Sequence, residues 1–386
     1  MAFNLRRFTT RLFFFLNMVV AVFFLIACVS PYLNPAEWWF VGFSGLALPW
    51  LLFTLIAFLI AWLTLRPKRA IPTLAVLLIG IPNIRVLFGT SLPREFRLEK
   101  QQRTIRLMDW NVRSFTPYYA EKFNNYVNIN EQAMMDEIRR FNPDVLCMQE
   151  FFTTDGDWGA DNIKVFGKEL GFRYVAFLRI QNYMNKMWNG NIILSKYPII
   201  DSAFHEYDRK PPERAEGVAS ADILVDGDTV RVYTTHLQSF SFRRKDYMDL
   251  RKIRETSDSG LVASKNIFYK MRTAFQSRAK QAQEMADLVK DCRYPHIVCG
   301  DLNDVPNSFA YFTVRGDMHD TFLDKGTGLG KSFHSGSSHV LDWLPTLRID
   351  YILASHDLKT LQYTQMNRKL SDHRALIADL QLPVGK

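Results

Sequence analysis

His296-Ile297-Val298-Cys299-Gly300-Asp301-Leu302-Asn303-Asp304 reads as a buried strand that ends in a glycine and then a polar tip. Short β-branched and apolar residues carry the strand, and the glycine marks a close turn that hands over to two acids and an amide. The same grammar recurs in one order across residues 105–374: Met108-Asp109-Trp110-Asn111, Met148-Gln149-Glu150, Thr235-His236-Leu237, Arg348-Ile349-Asp350-Tyr351 and Ser371-Asp372-His373. Three of these follow clear β-type runs, Thr104–Met108, Asp144–Met148 and Val230–Thr234. Polar tips at strand ends meet in one cleft only when the strands lie side by side in a sheet.

Asp226-Gly227-Asp228 between two apolar runs is a hairpin signal, so part of that sheet is antiparallel. Helical patterns at Asn128–Phe141 and Ala279–Lys290 separate other strands. Mixed strands with interleaved helices predict an α/β sandwich. The tips together supply carboxylate and amide oxygens, which suit a hard divalent cation such as Mg²⁺, and two imidazoles able to meet a phosphoryl group. That is the inventory of a phosphoester hydrolase. Singly, each motif also fits a turn, a cap or a core histidine; six in succession do not. A calcium loop is excluded at Gly300–Asp304, because Val305 and Pro306 stand where a ligand and glycine belong.

On these motifs the chain resembles the endonuclease/exonuclease/phosphatase family, which includes deoxyribonucleases, apurinic endonucleases, neutral sphingomyelinases and inositol polyphosphate phosphatases. The resemblance covers residues 103–384, with Gly-Asp-Leu-Asn and Ser-Asp-His its most specific parts. It implies a four-layer α/β sandwich, two mixed β-sheets face to face with helices outside, and Mg²⁺-dependent cleavage of a phosphoester by water, Mn²⁺ serving as substitute. It also implies roles: Asn111, Glu150 and Asp372 around the metal; Asp301 with Asn303 on the attacking water; His373, oriented by Asp350, and His236 on the phosphoryl oxygens; and Asn191 on the phosphate. Apurinic endonucleases carry tyrosine-proline-asparagine where this chain has Thr235-His236-Leu237, a departure toward the deoxyribonuclease, sphingomyelinase and phosphatase branches. Leu347–Ser355 resembles the exonuclease-type members instead.

Residues 1–92 are of another kind. Leu12–Val29 is apolar except for Asn17, and Trp38–Leu65 runs 28 residues without a charge. About 20 apolar residues span a bilayer, so both read as transmembrane helices. Ala70–Phe88 carries Pro72, Pro82, Asn83 and Arg85 and reads as a third span or an interfacial segment. Arg6, Arg7 and Arg11 before the first span, and Arg66, Lys68 and Arg69 after the second, mark the cytoplasmic side. Two spans leave the catalytic region in the cytoplasm. Three place it outside, and the apolarity of 70–88 favours three.

The net charge of +9 is concentrated in residues 1–100, which hold ten Lys/Arg against three Asp/Glu, leaving +2 for the remainder. Charge alone therefore does not indicate a nucleic-acid binder. One local exception is Phe240–Lys280, with eleven Lys/Arg against four Asp/Glu and interleaved aromatics just after His236. It reads as a solvated helix pair or as a surface for lipid headgroups or a nucleic-acid backbone. The four cysteines form no disulfide framework and no Cys-x-x-Cys zinc pattern. The expected partners are the bilayer and a phosphoester substrate. A phospholipid-type diester is favoured over DNA or RNA, with a phosphomonoester or a catalytically silent binding module as the further alternatives.

Overall fold

The computed structural model describes residues 5–115, 131–154, 161–183, 186–207, 217–240, 242, 258–334 and 347–383. Two helices open the chain, α1 (Leu5–Val29) and α2 (Val41–Leu65), followed by the short α3 (Ala70–Ile79) and α4 (Ile81–Arg85). Beyond β1 (Gly89–Thr90), two six-stranded sheets form. The first holds β2 (Thr104–Asn111), β3 (Val145–Thr154), β4 (Tyr174–Tyr183), β5 (Met187–Ser195), β13 (Lys359–Gln365) and β14 (Leu376–Gln381), in the order β13-β14-β2-β3-β5-β4. The second holds β6 (Ile199–Glu206), β7 (Gly217–Val225), β8 (Asp228–His236), β9 (His296–Asp301), β10 (His319–Asp320) and β12 (Asp350–Ala354), in the order β10-β12-β9-β8-β7-β6. β11 (Thr327–Gly328) pairs with β1 apart from both sheets.

Three apolar layers follow from strand alternation. Between the sheets, Ile105, Leu107, Val145, Cys147 and Ile193 meet Ala221, Val230, Val232, Ile297, Cys299 and Ile352. The opposite parity of the first sheet, Met108, Trp110, Leu146 and Met148, packs on α5 (Glu131–Phe141) and α6 (Asn162–Leu170). The outer face of the second, Tyr233, Val298 and Leu353, packs on α7 (Asp258–Lys290) and α8 (Phe309–Arg315). The expected four-layer sandwich is the fold observed. The Asp226-Gly227 hairpin also forms, with both residues at positive φ, 51° and 92°, as a tight turn between antiparallel strands requires.

One helix extends well beyond the sequence expectation. The helix expected at Ala279–Lys290 begins twenty-one residues earlier, at Asp258, and is 33 residues long. Its stretch Lys265–Arg272 carries three basic and two aromatic residues and lies against the entrance of α2. The helix expected from Asn128 is described from Glu131, with 128–130 outside the described residues.

Two helices, Arg6–Tyr32 and Val41–Leu65, are long and apolar enough to cross a membrane. The third candidate, 70–88, is helical from Ala70 to Arg85 with a break at Gly80. At that length it reaches about 24 Å, short of a bilayer core of about 30 Å. It nonetheless packs with the other two. Asn17, the lone polar residue of the first apolar run, is buried and accepts hydrogen bonds from Trp62 Nε1 (2.9 Å) and Thr73 Oγ1 (2.7 Å), so one carboxamide joins three helices. Arg69 Nη1 donates to Thr10 O (3.1 Å) at one end of the bundle. At the other end, Asn83 Nδ2 donates to Cys28 O (2.9 Å) and to Asn307 Oδ1 (2.8 Å), and Asn307 Nδ2 to Ala27 O (2.8 Å). The α3–α4 pair therefore runs from the Arg66–Arg69 end of the bundle to the two-sheet sandwich.

Candidate active site

Parallel pairing collects the motifs. Each sheet contains one parallel pair, β2 with β3 and β8 with β9, so the carboxyl ends within each pair lie at the same edge. Asn111 thus stands opposite Gln149, and His236 opposite Asp301. The flanking strands run antiparallel and begin where the others end. Asp350 opens β12 opposite Asp301, and β14 starts with Leu376 opposite Asp109, just after Asp372 and His373.

Side-chain parity then selects what faces the cleft. Ile105 and Leu107 point between the sheets, and so do Asp109 and Asn111 beyond them; Val145 and Cys147 lead to Gln149, Val230 and Val232 to His236, and Ile297 and Cys299 to Asp301. The site is the polar end of the inter-sheet layer. Glu150 has the wrong parity to join it, and a bulge corrects this. The β3–β5 register slips between Met148 and Phe151, and Glu150 takes a positive φ of 51°. Gly300 is required for a related reason: at φ 134° a Cβ would lie 2.0 Å from Thr235 O, where β8 and β9 converge on the site.

Asp301 is the hub. It is buried, its Oδ2 lies 3.6 Å from Nε2 of both His236 and His373, and it accepts from Asn111 Nδ2 at 3.1 Å. Asn303 N donates to its Oδ1 at 2.8 Å. Burial pushes the Asp301 carboxyl up to about 6; the His373 and His236 imidazoles pull it down and Asp350 pushes it up. His373 Nδ1 meets both oxygens of Asp350, at 2.9 and 3.0 Å. Burial alone would lower its affinity for a proton, but the Asp350 and Asp301 carboxylates outweigh that and hold His373 well above the ordinary histidine value. Asp350 is fixed in turn: Ser332 Oγ accepts from its backbone N–H at 3.1 Å.

Asn111 Nδ2 also reaches Glu150 Oε1 at 3.4 Å. The Asn111 carboxamide oxygen and the Glu150 and Asp301 carboxylates offer hard oxygen ligands, Asp301 buried and Glu150 half-buried, which fits a small divalent cation. Asp301, Asp350 and His373 also come within 4.8 Å of one another. However, the Asp350 carboxylate is committed to the His373 ring, which leaves Asn111 with Glu150 better suited to a hard divalent cation. Asp372 lies beside Arg113 (Oδ2 to Nε 3.5 Å) and Ser371 Oγ (3.2 Å). Asn191 is buried, and its Nδ2 donates to Gly217 O at 2.8 Å, tying β5 to β7 across the sheets.

Two supports were missed in the sequence. Asp109 and Gln149 are fully buried under the site: Gln149 Nε2 donates to Asp109 Oδ1 (2.7 Å) and Thr234 Oγ1 (2.8 Å), and burial raises the Asp109 carboxyl well above its usual range. The parity of Ile105 and Leu107, carried two residues on, signals the inward aim of Asp109. The other support is Arg278 on α7, also fully buried, whose Nη1 donates to Asn303 O (2.5 Å) while its Nε lies 3.3 Å from Asp304 Oδ2. A lone arginine inside a basic segment gives no such signal.

The chain belongs to the endonuclease/exonuclease/phosphatase family, whose sequence profile matches residues 110–373. A domain of unknown function matches residues 10–87, the anchor-like region. Among curated proteins, none matches the sequence. The fold is similar to that of an endonuclease/exonuclease/phosphatase from Beutenbergia cavernae, at 18% identity and TM-score 0.52, covering 73% of this chain and 72% of that one. Also similar are the human Nocturnin catalytic domain with bound sulfate (18% identity, TM-score 0.49, 73% and 94% covered) and a family protein from Leptotrichia buccalis (17%, 0.49, 72% and 100%). Phosphoester hydrolysis is the chemistry of this family.

Proposed function

We propose that the protein is a membrane-anchored, Mg²⁺-dependent phosphodiesterase acting on a lipid-type phosphodiester. The observation that carries the reading is Asp301 lying 3.6 Å from two imidazoles and 3.1 Å from Asn111 at the polar end of the inter-sheet layer. Asn111 and Glu150, with Asp372 at the rim, would hold Mg²⁺, which supplies charge neutralisation for an anionic phosphodiester. Asp301 accepts the proton of the attacking water as the new P–O bond forms and the bond to the leaving oxygen breaks. Asn303, fixed through Leu237 O (2.9 Å), helps place that water. His373, kept cationic and in one orientation by Asp350, and His236 stabilise the phosphoryl oxygens as charge builds. Asn191 contributes by holding β5 against β7 through its bond to Gly217 O.

Full-length protein should hydrolyse a generic aryl phosphodiester with Mg²⁺ or Mn²⁺ and lose that activity in chelator. A panel of sphingomyelin, phosphoinositides, DNA and RNA then assigns the substrate. Preference for DNA or RNA over every lipid would replace the lipid reading with a nuclease. Turnover unaffected by chelator would remove the metal.

The anchor is read as crossing the membrane so that the sandwich lies opposite Arg6, Arg7, Arg11, Arg66, Lys68 and Arg69, that is, outside the cytoplasm. Supporting this, Arg69 sits beside Thr10 at one end of the bundle while Asn83 and Cys28 meet Asn307 at the other. A reporter fused after Lys386 should behave as extracytoplasmic, and detergent, not salt or carbonate, should extract the protein. A cytoplasmic reporter signal would rule out this orientation.

A further inference from the structure

The first described half of α7 docks on the entrance of α2. Phe268 stacks on Phe43 (centroids 5.0 Å apart, 7° between planes) and meets Trp39 edge-on at 5.2 Å. Arg272 lies over the Trp39 ring at 5.0 Å, and Gln276 Nε2 donates to Ala36 O at 3.2 Å. About two turns on from Phe268, Phe275 packs on Phe43 at 5.1 Å and would collide with any Cβ at Gly42. These contacts hold α7 at the level where α2 would enter a bilayer.

What α7 leaves open at that level is aromatic and basic. Tyr269 is 68% exposed, Phe268 43% and, beside them, Trp38 51% and Phe40 49%. Lys265 and Arg272 are exposed and Lys270 half-exposed. From Lys265 to Arg272 the sequence has three basic residues and no acid. Aromatic rings flanked by Lys and Arg, continuous with the apolar outside of two long helices, match the boundary between acyl chains and headgroups.

We propose that α7 from Lys265 to Arg272, together with the entrance of α2, is a docking surface for the anionic headgroup layer of a bilayer. It rests on α1 and α2 spanning that bilayer. The continuity of the surface with α2 selects a membrane over a separate protein partner, and its three basic residues against the single exposed Glu37 at the α2 entrance select anionic lipid. The loop after His236 runs to this surface, since Phe240 packs on Phe275 at 5.5 Å. Headgroups held there therefore lie on the same side as the catalytic imidazoles.

The test uses the full chain in nanodiscs, in a Cys292→Ser background because the other three cysteines are buried. A fluorophore on Tyr269→Cys should be quenched by nitroxides at headgroup depth, more in anionic than in neutral discs. A fluorophore on Phe53→Cys, halfway along α2, should be quenched by nitroxides on the acyl chains. Each basic residue near an anionic surface changes occupancy about fivefold, so replacing Lys265, Lys270 and Arg272 by serine should lower engagement on the order of a hundredfold. Quenching at position 53 without quenching at 269 overturns the docking surface alone. No quenching at either overturns the spans and the surface together. Equal quenching at 269 in neutral and anionic discs, or in the triple variant, overturns the anionic partner. None of these readouts depends on hydrolysis, so they stand apart from the catalytic assignment.

Discussion

Asp301→Ala and His373→Ala should each lower turnover of an aryl phosphodiester by at least about 100-fold, which is about 2.7 kcal/mol of transition-state stabilisation. Both residues are buried and both bear on the same hydrogen-bonded hub, with Asp301 Oδ2 and His373 Nε2 3.6 Å apart. Their losses should therefore not add, and the double variant should fall little further than the worse single one. The check is kcat and KM for the four proteins, with circular dichroism to show that the fold persists. A folded Asp301→Ala enzyme with near wild-type kcat would remove Asp301 from the reaction.

The second large effect is expected at Arg278, a positioning residue that touches neither substrate nor metal. Its guanidinium is fully buried, holds Asn303 O at 2.5 Å and pairs with Asp304, which is itself buried. Arg278→Met leaves the Asp304 carboxylate without its cation in a dry site, at a cost of about 3–5 kcal/mol. Thermal unfolding should drop well below wild type. In protein kept folded by lower temperature, kcat should fall while KM stays near its original value, because the loop carrying Asp301 and Asn303 has loosened. Arg278→Lys should recover part of kcat. If kcat is unchanged in folded Arg278→Met, the arginine is only a core residue.

How much was readable beforehand depends on the range of each interaction. The strands before Asn111, Glu150, His236 and Asp301 were legible because alternation and terminal polar residues are local signals. The turn at Asp226-Gly227 was legible because both positions sit at positive φ, which these residue types accept. Bringing Asn111 beside Gln149 and His236 beside Asp301 was not, since parallel pairing joins distant segments and leaves no mark within either strand. The family resemblance supplied that arrangement where the residues could not. Buried supports were hidden for the same reason: Asp109, Gln149 and Arg278 read as ordinary polar residues until the sheets and α7 close over them. The basic segment was seen as a charge run, but its contact with Trp39 and Phe43 depends on where α2 begins. Arg243, Arg244 and Lys245, within that run, lie outside the described residues.

The polar clasp between the segment ahead of Thr104 and the sandwich bears on where the cooperative unit begins. Arg348, wholly buried, donates to Val86 O at 2.8 Å, Arg106 donates to Arg97 O and Leu98 O at 3.0 and 2.9 Å, and Asn307 bonds Asn83 and Ala27. A fragment cut at Thr104, where the first sheet starts, strips all of these partners at once, at about 1–3 kcal/mol for each buried group left unmet. Domains of ordinary stability have only about 5–15 kcal/mol in hand. The family profile match begins at residue 110, but the hydrogen bonds that complete the sandwich reach back into the apolar amino-terminal helices, so removing those helices is expected to cost integrity as well.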